Sequence, residues 1–240
     1  MKIGRADGRK AAELRPLQII RGYIHSAPGS VLIRAGNTVV ICTASVEDAV
    51  PDWLAGQQKG WITAEYDMLP ASTAPRRKRN RIKPDGRSTE IQRLIGRALR
   101  AVVDLEMLGE RTIWVDCDVL QADGGTRTAA ITGAFIALHD ALSKAMTDGR
   151  IPALPVRSCC AAVSVGIVDG TPMLDLCYEE DVRASVDMNL VMDGEGRFIE
   201  IQATGEQAVF SRDEAIEMMR LGEQGIHELI AMQKGMLNIA

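Results

Sequence analysis

Residues 112–146 read TIWVDCDVLQADGGTRTAAITGAFIALHDALSKAM, from Thr112 to Met146, and the fold is read outward from this stretch. In its first part Ile113, Val115, Cys117 and Val119 fall on one side and Asp116 and Asp118 on the other. That is the two-residue period of a strand with one buried face. The chain then turns through Gln121-Ala122-Asp123-Gly124-Gly125-Thr126-Arg127-Thr128 into an Ala-rich segment that predicts a helix ending near Met146. A strand feeding a helix suits either an α/β or an α+β arrangement, and the flanks decide between them.

Upstream, Ser30–Arg34 and Thr38–Ser45 read as strands joined at Ala35-Gly36-Asn37, a hairpin pattern, and Trp61–Glu65 as a short strand. Pro70–Gly86, with three prolines, reads as an exposed loop. Thr89 and Gln92 have the spacing of a capping box, which predicts a helix whose apolar face is Ile91, Leu94, Ile95, Ala98, Val102 and Leu105. Downstream, Ser158–Val168 and Met173–Tyr178 form a strand pair turned at Asp169-Gly170. Val186–Met192 and Arg197–Ala203 form another around Asp193-Gly194-Glu195-Gly196. Ser211 and Glu214 cap a last helix running to about Gln233. Hairpins dominate the strand connections, which favours a single α+β domain over residues 1–240, with a mixed sheet and packed helices.

The chain has 240 residues, 46% of them hydrophobic and 25% charged, ordinary for a soluble globular protein. Its N-terminus lacks the apolar stretch of a secretory signal. The longest apolar run, Ala161–Val168, falls far short of the ~20 residues of a membrane helix. The expectation is a soluble, cytoplasmic protein that does not engage membranes. The five cysteines make no C-x-x-C pair, Cys159 and Cys160 in a strand-like run read as small buried thiols, and three scattered histidines lack metal-ligand spacing.

Net charge is −4, yet Arg76–Arg87 carries seven basic side chains and one acid. That local +6 sits on a remainder of −10. Such asymmetry can steer a polyanion onto one face, or it can be a solvated loop. Arg93, Arg97 and Arg100 recur at helical spacing, giving either a solvated, paired face or a basic groove or subunit contact. Aromatics make up only 4% of the chain, which disfavours a platform for stacking single-stranded bases and suits phosphate contacts better.

Two motifs carry chemistry. Gly124-Gly125-Thr126-Arg127 places two glycines, a hydroxyl and a forked cation at a helix start, a composition suited to an anion. A cation in the first helical turn opposes the macrodipole unless an anion compensates it. The second motif is Glu179-Glu180-Asp181, with Asp187 six residues after Asp181. A carboxylate pair at a strand end can hold Mg²⁺, which prefers carboxylate oxygen and retained waters. Otherwise the segment is a polar loop, and Asp116 and Asp118 are a rival pair. An anion cradle, a metal site and no His or Cys nucleophile together point to phosphoryl transfer on a polyanion.

The string Asp116–Thr128 resembles the hallmark of the bacterial ribonuclease PH family. So do Gly60-Trp61-Ile62-Thr63-Ala64-Glu65-Tyr66, Leu69-Pro70, and Gly86-Arg87 followed by Glu90-Ile91-Gln92-Arg93-Leu94-Ile95. The match runs in order from about Arg9 to Gln233. Two positions depart from the family pattern: Ala71 and Asp52 stand where basic residues are common.

The resemblance implies a ribosomal-protein-S5-domain-2-like fold and a hexameric ring built as a trimer of dimers. It implies that inorganic phosphate, as co-substrate, attacks the terminal phosphodiester of tRNA precursors and other RNAs such as rRNA 3′ ends. Nucleoside diphosphates are released, reversibly. By motif position the phosphate site falls on Arg87, Gly125, Thr126 and Arg127. Asp181 and Asp187 match an acidic pair that binds a divalent cation such as Mg²⁺ or protonates the leaving oxygen, with either role open to either residue. Arg76, Arg77 and Arg79 match a tRNA-binding segment, to which Arg93 and Arg97 could add a basic groove. A non-catalytic ring subunit would be expected to lose parts of the phosphate site. A metal-dependent hydrolytic nuclease would release monophosphates instead.

Overall fold

The hairpin expected around Gly36-Asn37 forms between β2 (Gly29–Ala35) and β3 (Thr38–Glu47), and β1 (Leu17–Arg21) extends it on the outer edge. The computed structural model describes residues 5–78, 86–206 and 208–239. β4 (Trp61–Met68), α1 (Gly86–Ala101) and the short α2 (Leu105–Leu108) lead into β5 (Thr112–Gln121). The first sheet has the order β1-β2-β3-β5-β4, antiparallel except for the parallel β4–β5 pair, so it is mixed. In β5 the residues Ile113, Val115, Cys117 and Val119 are buried, as their alternation requires.

α3 (Thr126–Thr147) follows directly and packs against β2, β3 and β5 on one side and β6 (Cys160–Val168) on the other. Sixteen of its 22 residues are buried, the mark of a helix apolar all round. Alanines at 129, 130, 134, 137, 141 and 145 keep its radius small enough for two sheets to approach it.

The second sheet, β7-β6-β8-β9, is entirely antiparallel. It comprises β6, β7 (Thr171–Leu174), β8 (Ala184–Asp193) and β9 (Phe198–Gly205), with α4 (Tyr178–Arg183) between β7 and β8. α5 (Arg212–Leu237) begins at the expected Ser211/Glu214 capping box and covers β6, β7 and β8. Its buried Gln233 Nε2 donates to Thr132 O and Cys160 O, tying the helix to both layers. One continuous apolar core runs from Val31 through α3 to Leu237. The α+β class follows, with two sheets rather than one.

Three local readings are corrected. Thr89 does not cap a helix: α1 already includes Gly86, and Gln92 Nε2 instead donates to Glu65 Oε2 on β4. The strand read over Met173–Tyr178 stops at Leu174, because Asp175 takes a positive φ of 54° and Cys177 caps α4. The acidic segment therefore lies in a helical turn rather than a strand edge or loop. Cys42, Cys117, Cys159 and Cys160 are buried free thiols, and burial pushes the Cys160 thiol well up, so these are packing residues.

Candidate active site

The turn between β5 and α3 is built from two left-handed glycines, Gly124 at φ 73° and Gly125 at φ 61°. A Cβ on Gly124 would stand 2.5 Å from Leu176 O and 2.9 Å from Tyr178 N. One on Gly125 would stand 2.7 Å from Arg15 Nη2. The left-handed φ favours glycine at both positions, and at Gly124 the close backbone atoms leave no room for a Cβ either. Gly125 has no side chain to cap α3, so no side chain satisfies the N–H groups of its first turn. The Tyr66 hydroxyl donates to Thr126 Oγ1 at 2.8 Å, fixing the Thr126 rotamer and leaving its own proton available to a ligand.

The Arg127 guanidinium is held from the second sheet. Its Nη1 donates to Gln202 Oε1 on β9 at 2.8 Å and lies 3.7 Å from Glu90 Oε1 on α1. Gln202 Nε2 in turn donates to the same Glu90 oxygen at 2.7 Å. Three elements thereby converge on one cation: the Gln202 amide fixes it, and the Glu90 carboxylate stands at ion-pair distance.

Facing this turn is an acidic wall. Burial pushes the Asp181 carboxyl above its ordinary range, and the Arg87 and Arg127 charges offset this only in part. Asp187 is raised as well, by burial first and then by the negative charge of Asp181. The Asn189 amide donates to Asp187 Oδ2 at 3.1 Å and partly compensates. Glu206 acts on both aspartates from the end of β9. Two carboxyls raised by burial and by neighbouring acidic charge, in a cleft lined with arginine, are an arrangement expected of a reaction site.

The cleft has a volume of 1170 Å³, and Arg77, Arg87, Gly125, Thr126, Arg127, Asp181 and Asp187 all line it. Sequence positions 77 to 187 thus meet in one space. Arg76, Arg93 and Arg97 do not line it. Arg76 is exposed just outside. Arg93 and Arg97 lie two and three turns along α1 from Arg87, and Arg97 forms a forked pair with Glu200 at 2.8–3.0 Å. Arg100 donates to Ile62 O and sits over the Trp61 ring, so the helical arginine face is largely paired. Arg79 lies outside the described residues. Asp116 accepts from Thr43, and neither it nor Asp118 lines the cleft. Asp52 and Ala71 are exposed and likewise do not line it. Among the described residues no cluster of three or more Asp, Glu, His or Cys suits a metal.

Sequence reading missed the frame behind the site. Arg15 binds Asp175 through Nε and Nη2 at 3.1 and 2.7 Å, and its Nη1 donates to Asp123 O at 2.6 Å. It therefore ties the glycine turn to the segment that carries α4. Arg5 forms a buried fork with Glu180 at 2.7–2.8 Å. Burial raises the Glu180 carboxyl, but Arg5 outweighs it and holds the group below its ordinary range. Glu180 is thus a structural anchor that fixes α4, and the acidic run divides into anchor and site. Three arginines in an N-terminal segment hinted at ionic contacts, but nothing local named their partners some 160–175 residues away.

Residues 13–143 match domain 1 of the 3′ exoribonuclease family, and residues 159–225 match its domain 2. A ribonuclease PH from Halalkalibacterium halodurans is 56% identical over 236 residues, covering 97% of this chain and 92% of the relative. Among solved structures, the Archaeoglobus fulgidus exosome with RNA bound to its active site superposes with a TM-score of 0.81 at 24% identity, covering 94% of this chain and 91% of that one. Rice (Oryza sativa) Rrp46 superposes with a TM-score of 0.76 at 21% identity, covering 98% of each chain. These two likenesses concern the fold. Two family domains matched in order, and a 56% identical relative spanning nearly the whole chain, agree with the turn and acidic pair assembled in the cleft: the chain belongs to the 3′ exoribonuclease family, with the ribonuclease PH branch as its near kin.

Proposed function

We infer that this chain is a phosphorolytic 3′→5′ exoribonuclease. The observation that carries this reading is the meeting of the Gly125–Arg127 turn and Arg87 with Asp181 and Asp187 across one cleft. Nucleophile and target are both phosphates, so their repulsion must be neutralised before they can approach. Arg87, Arg127, the Thr126 hydroxyl and the α3 N-terminus hold inorganic phosphate beside the terminal phosphodiester. A phosphate oxygen bonds to that phosphorus as the bond to the neighbouring 3′ oxygen breaks. The nucleotide leaves as its diphosphate, and the shortened RNA keeps a 3′ hydroxyl. The departing oxygen needs a proton, and a carboxyl whose ionised form is disfavoured by burial, at Asp181 or Asp187, is suited to supply it.

The same pair suits Mg²⁺: both are oxygen donors, and the mutual charge that raises Asp187 is relieved by a cation. Bound there, the ion would neutralise charge on the transferring phosphate. Retention of Arg87, Thr126, Arg127, Asp181 and Asp187 tells against a non-catalytic ring subunit. Family membership supports a hexameric ring, a trimer of dimers, acting in the cytoplasm on tRNA precursors and rRNA 3′ ends. Among the described residues no helix is long and apolar enough to cross a membrane.

Product analysis tests the reading. With a 3′-extended RNA, Mg²⁺ and phosphate, chromatography should show nucleoside diphosphates, and supplied diphosphates should extend a primer in reverse. Monophosphate products, or turnover without phosphate, would identify a hydrolase instead.

The basic run is assigned to capture of structured RNA. Arg77 lines the cleft mouth, and Arg76 and Lys78 stand exposed beside it. Neutralising Arg76, Arg77, Lys78 and Arg79 should weaken tRNA-sized substrates much more than short oligonucleotides. Each lost phosphate contact lowers the salt slope of log affinity by about 0.7–0.9, so two or three contacts lower it by roughly 2. A slope unchanged across salt concentrations would leave the run a solvated loop.

A further inference from the structure

We propose that Tyr178, with Val182 one helical turn later on α4, forms a shelf on which the base of the 3′-terminal nucleotide stacks. The proposal rests on the phosphorolytic reading and adds a base subsite to it. Tyr178 is the only aromatic ring among the described residues lining the cleft, which it shares with Gly125, Arg127, Asp181 and Asp187. It is 59% exposed and Val182 is 65% exposed, so apolar surface faces the water of the cleft. By contrast Tyr66, also near the glycine turn, is buried and spent on Thr126.

The shelf is rigid where it matters. The Tyr178 N–H donates to Asp123 Oδ1 at 3.1 Å, and Asp123 also accepts from Asn37. The missing Cβ of Gly124 would lie 2.9 Å from Tyr178 N, so the tyrosine backbone packs against the phosphate turn itself. Behind it, Glu180 is locked to Arg5. In a nucleotide the base stands one ribose away from its phosphate. An aromatic side chain whose backbone is anchored beside the phosphate turn is therefore placed for the base of the nucleotide being removed. Stacking uses the π-face that every base has, which gives binding without sequence preference, as an enzyme that removes successive nucleotides requires. The scarcity of aromatics argued against an extended stacking platform, but a single subsite needs only one ring.

The test compares two oligoribonucleotides in phosphate and Mg²⁺: one ends in adenosine, the other in a ribose bearing hydrogen in place of the base. For the wild-type chain kcat/KM should favour the adenosine end, with a stacking share of about 5- to 150-fold, the size of one base–aromatic contact. Tyr178→Ala should remove most of that ratio, and Tyr178→Phe should keep it. If Tyr178→Ala lowers both substrates by the same factor, the ring is not a base subsite. If that equal loss accompanies a smaller sedimenting species, the ring is a contact between copies of the chain. Monophosphate release by the wild type would overturn the phosphorolytic reading, yet the base-dependent ratio could still be measured and judged separately.

Discussion

Arg127→Ala should lower phosphorolysis by about 10²–10³-fold, the usual size for removing one preorganised charge-stabilising donor. The guanidinium is fixed by Gln202 and stands close to Glu90, so it costs little reorganisation when two phosphates meet. Much of the loss should appear as a raised KM for phosphate, because the cradle holds the nucleophile. Folding should survive, since the side chain reaches into the cleft and not the core. Gln202→Leu should move the same phosphate KM by a smaller factor, through Arg127, whereas Gln202→Glu keeps an acceptor for the guanidinium. Rate measurements across phosphate concentrations decide this. An unchanged phosphate dependence in Arg127→Ala would remove the arginine from the site.

Asp187→Asn should abolish most activity, by about 10²–10⁴-fold if the carboxyl supplies the proton, while RNA binding stays nearly intact. The same change carries a second expected outcome of opposite sign, on stability. Burial and Asp181 raise the folded-state pKa of Asp187 above its unfolded value. The folded state thus resists ionisation, and the cost is absent below the unfolded pKa, grows between the two values, and is complete above the raised one. With metal chelated, Asp187→Asn should therefore melt at a higher temperature than the wild-type chain at neutral pH. The two should converge as pH falls below the ordinary aspartate range. Thermal melts across pH check it. A variant destabilised at neutral pH, or one losing RNA binding in step with turnover, would give Asp187 a structural role. Stability sacrificed at a reacting group is a common compromise in enzymes.

Local sequence physics determined the elements whose cause is local. The alternation of Ile113, Val115, Cys117 and Val119 specified β5, because a strand exposes and buries on a period of two. Ser211 and Glu214 specified the start of α5, because a capping box satisfies orphan N–H groups within one turn. The glycine turn at the start of α3 was legible for the same reason: its backbone freedom and its helix start lie in adjacent residues. Where local cues competed, they misled. Thr89 had the spacing of a cap, but α1 includes Gly86 and packs against β4 and α3, and that tertiary packing overrides a cap signal.

Only the tertiary structure sorted equivalent side chains into different roles. Glu180 and Asp181 are neighbours of like chemistry, yet one is neutralised by Arg5 and the other faces the cleft with its charge disfavoured. Arg127 and Arg97 are both helical arginines, yet Gln202, with Glu90 at 3.7 Å, holds one at the cleft, while Glu200 pairs with the other away from it. The physical reason is range. Hydrogen-bond capacity and hydrophobic period are properties of a few consecutive residues and can be read from them. The electrostatic state of a carboxyl or guanidinium depends on what folding places within a few ångströms, and here those partners stand some 75 to 175 residues away along the chain.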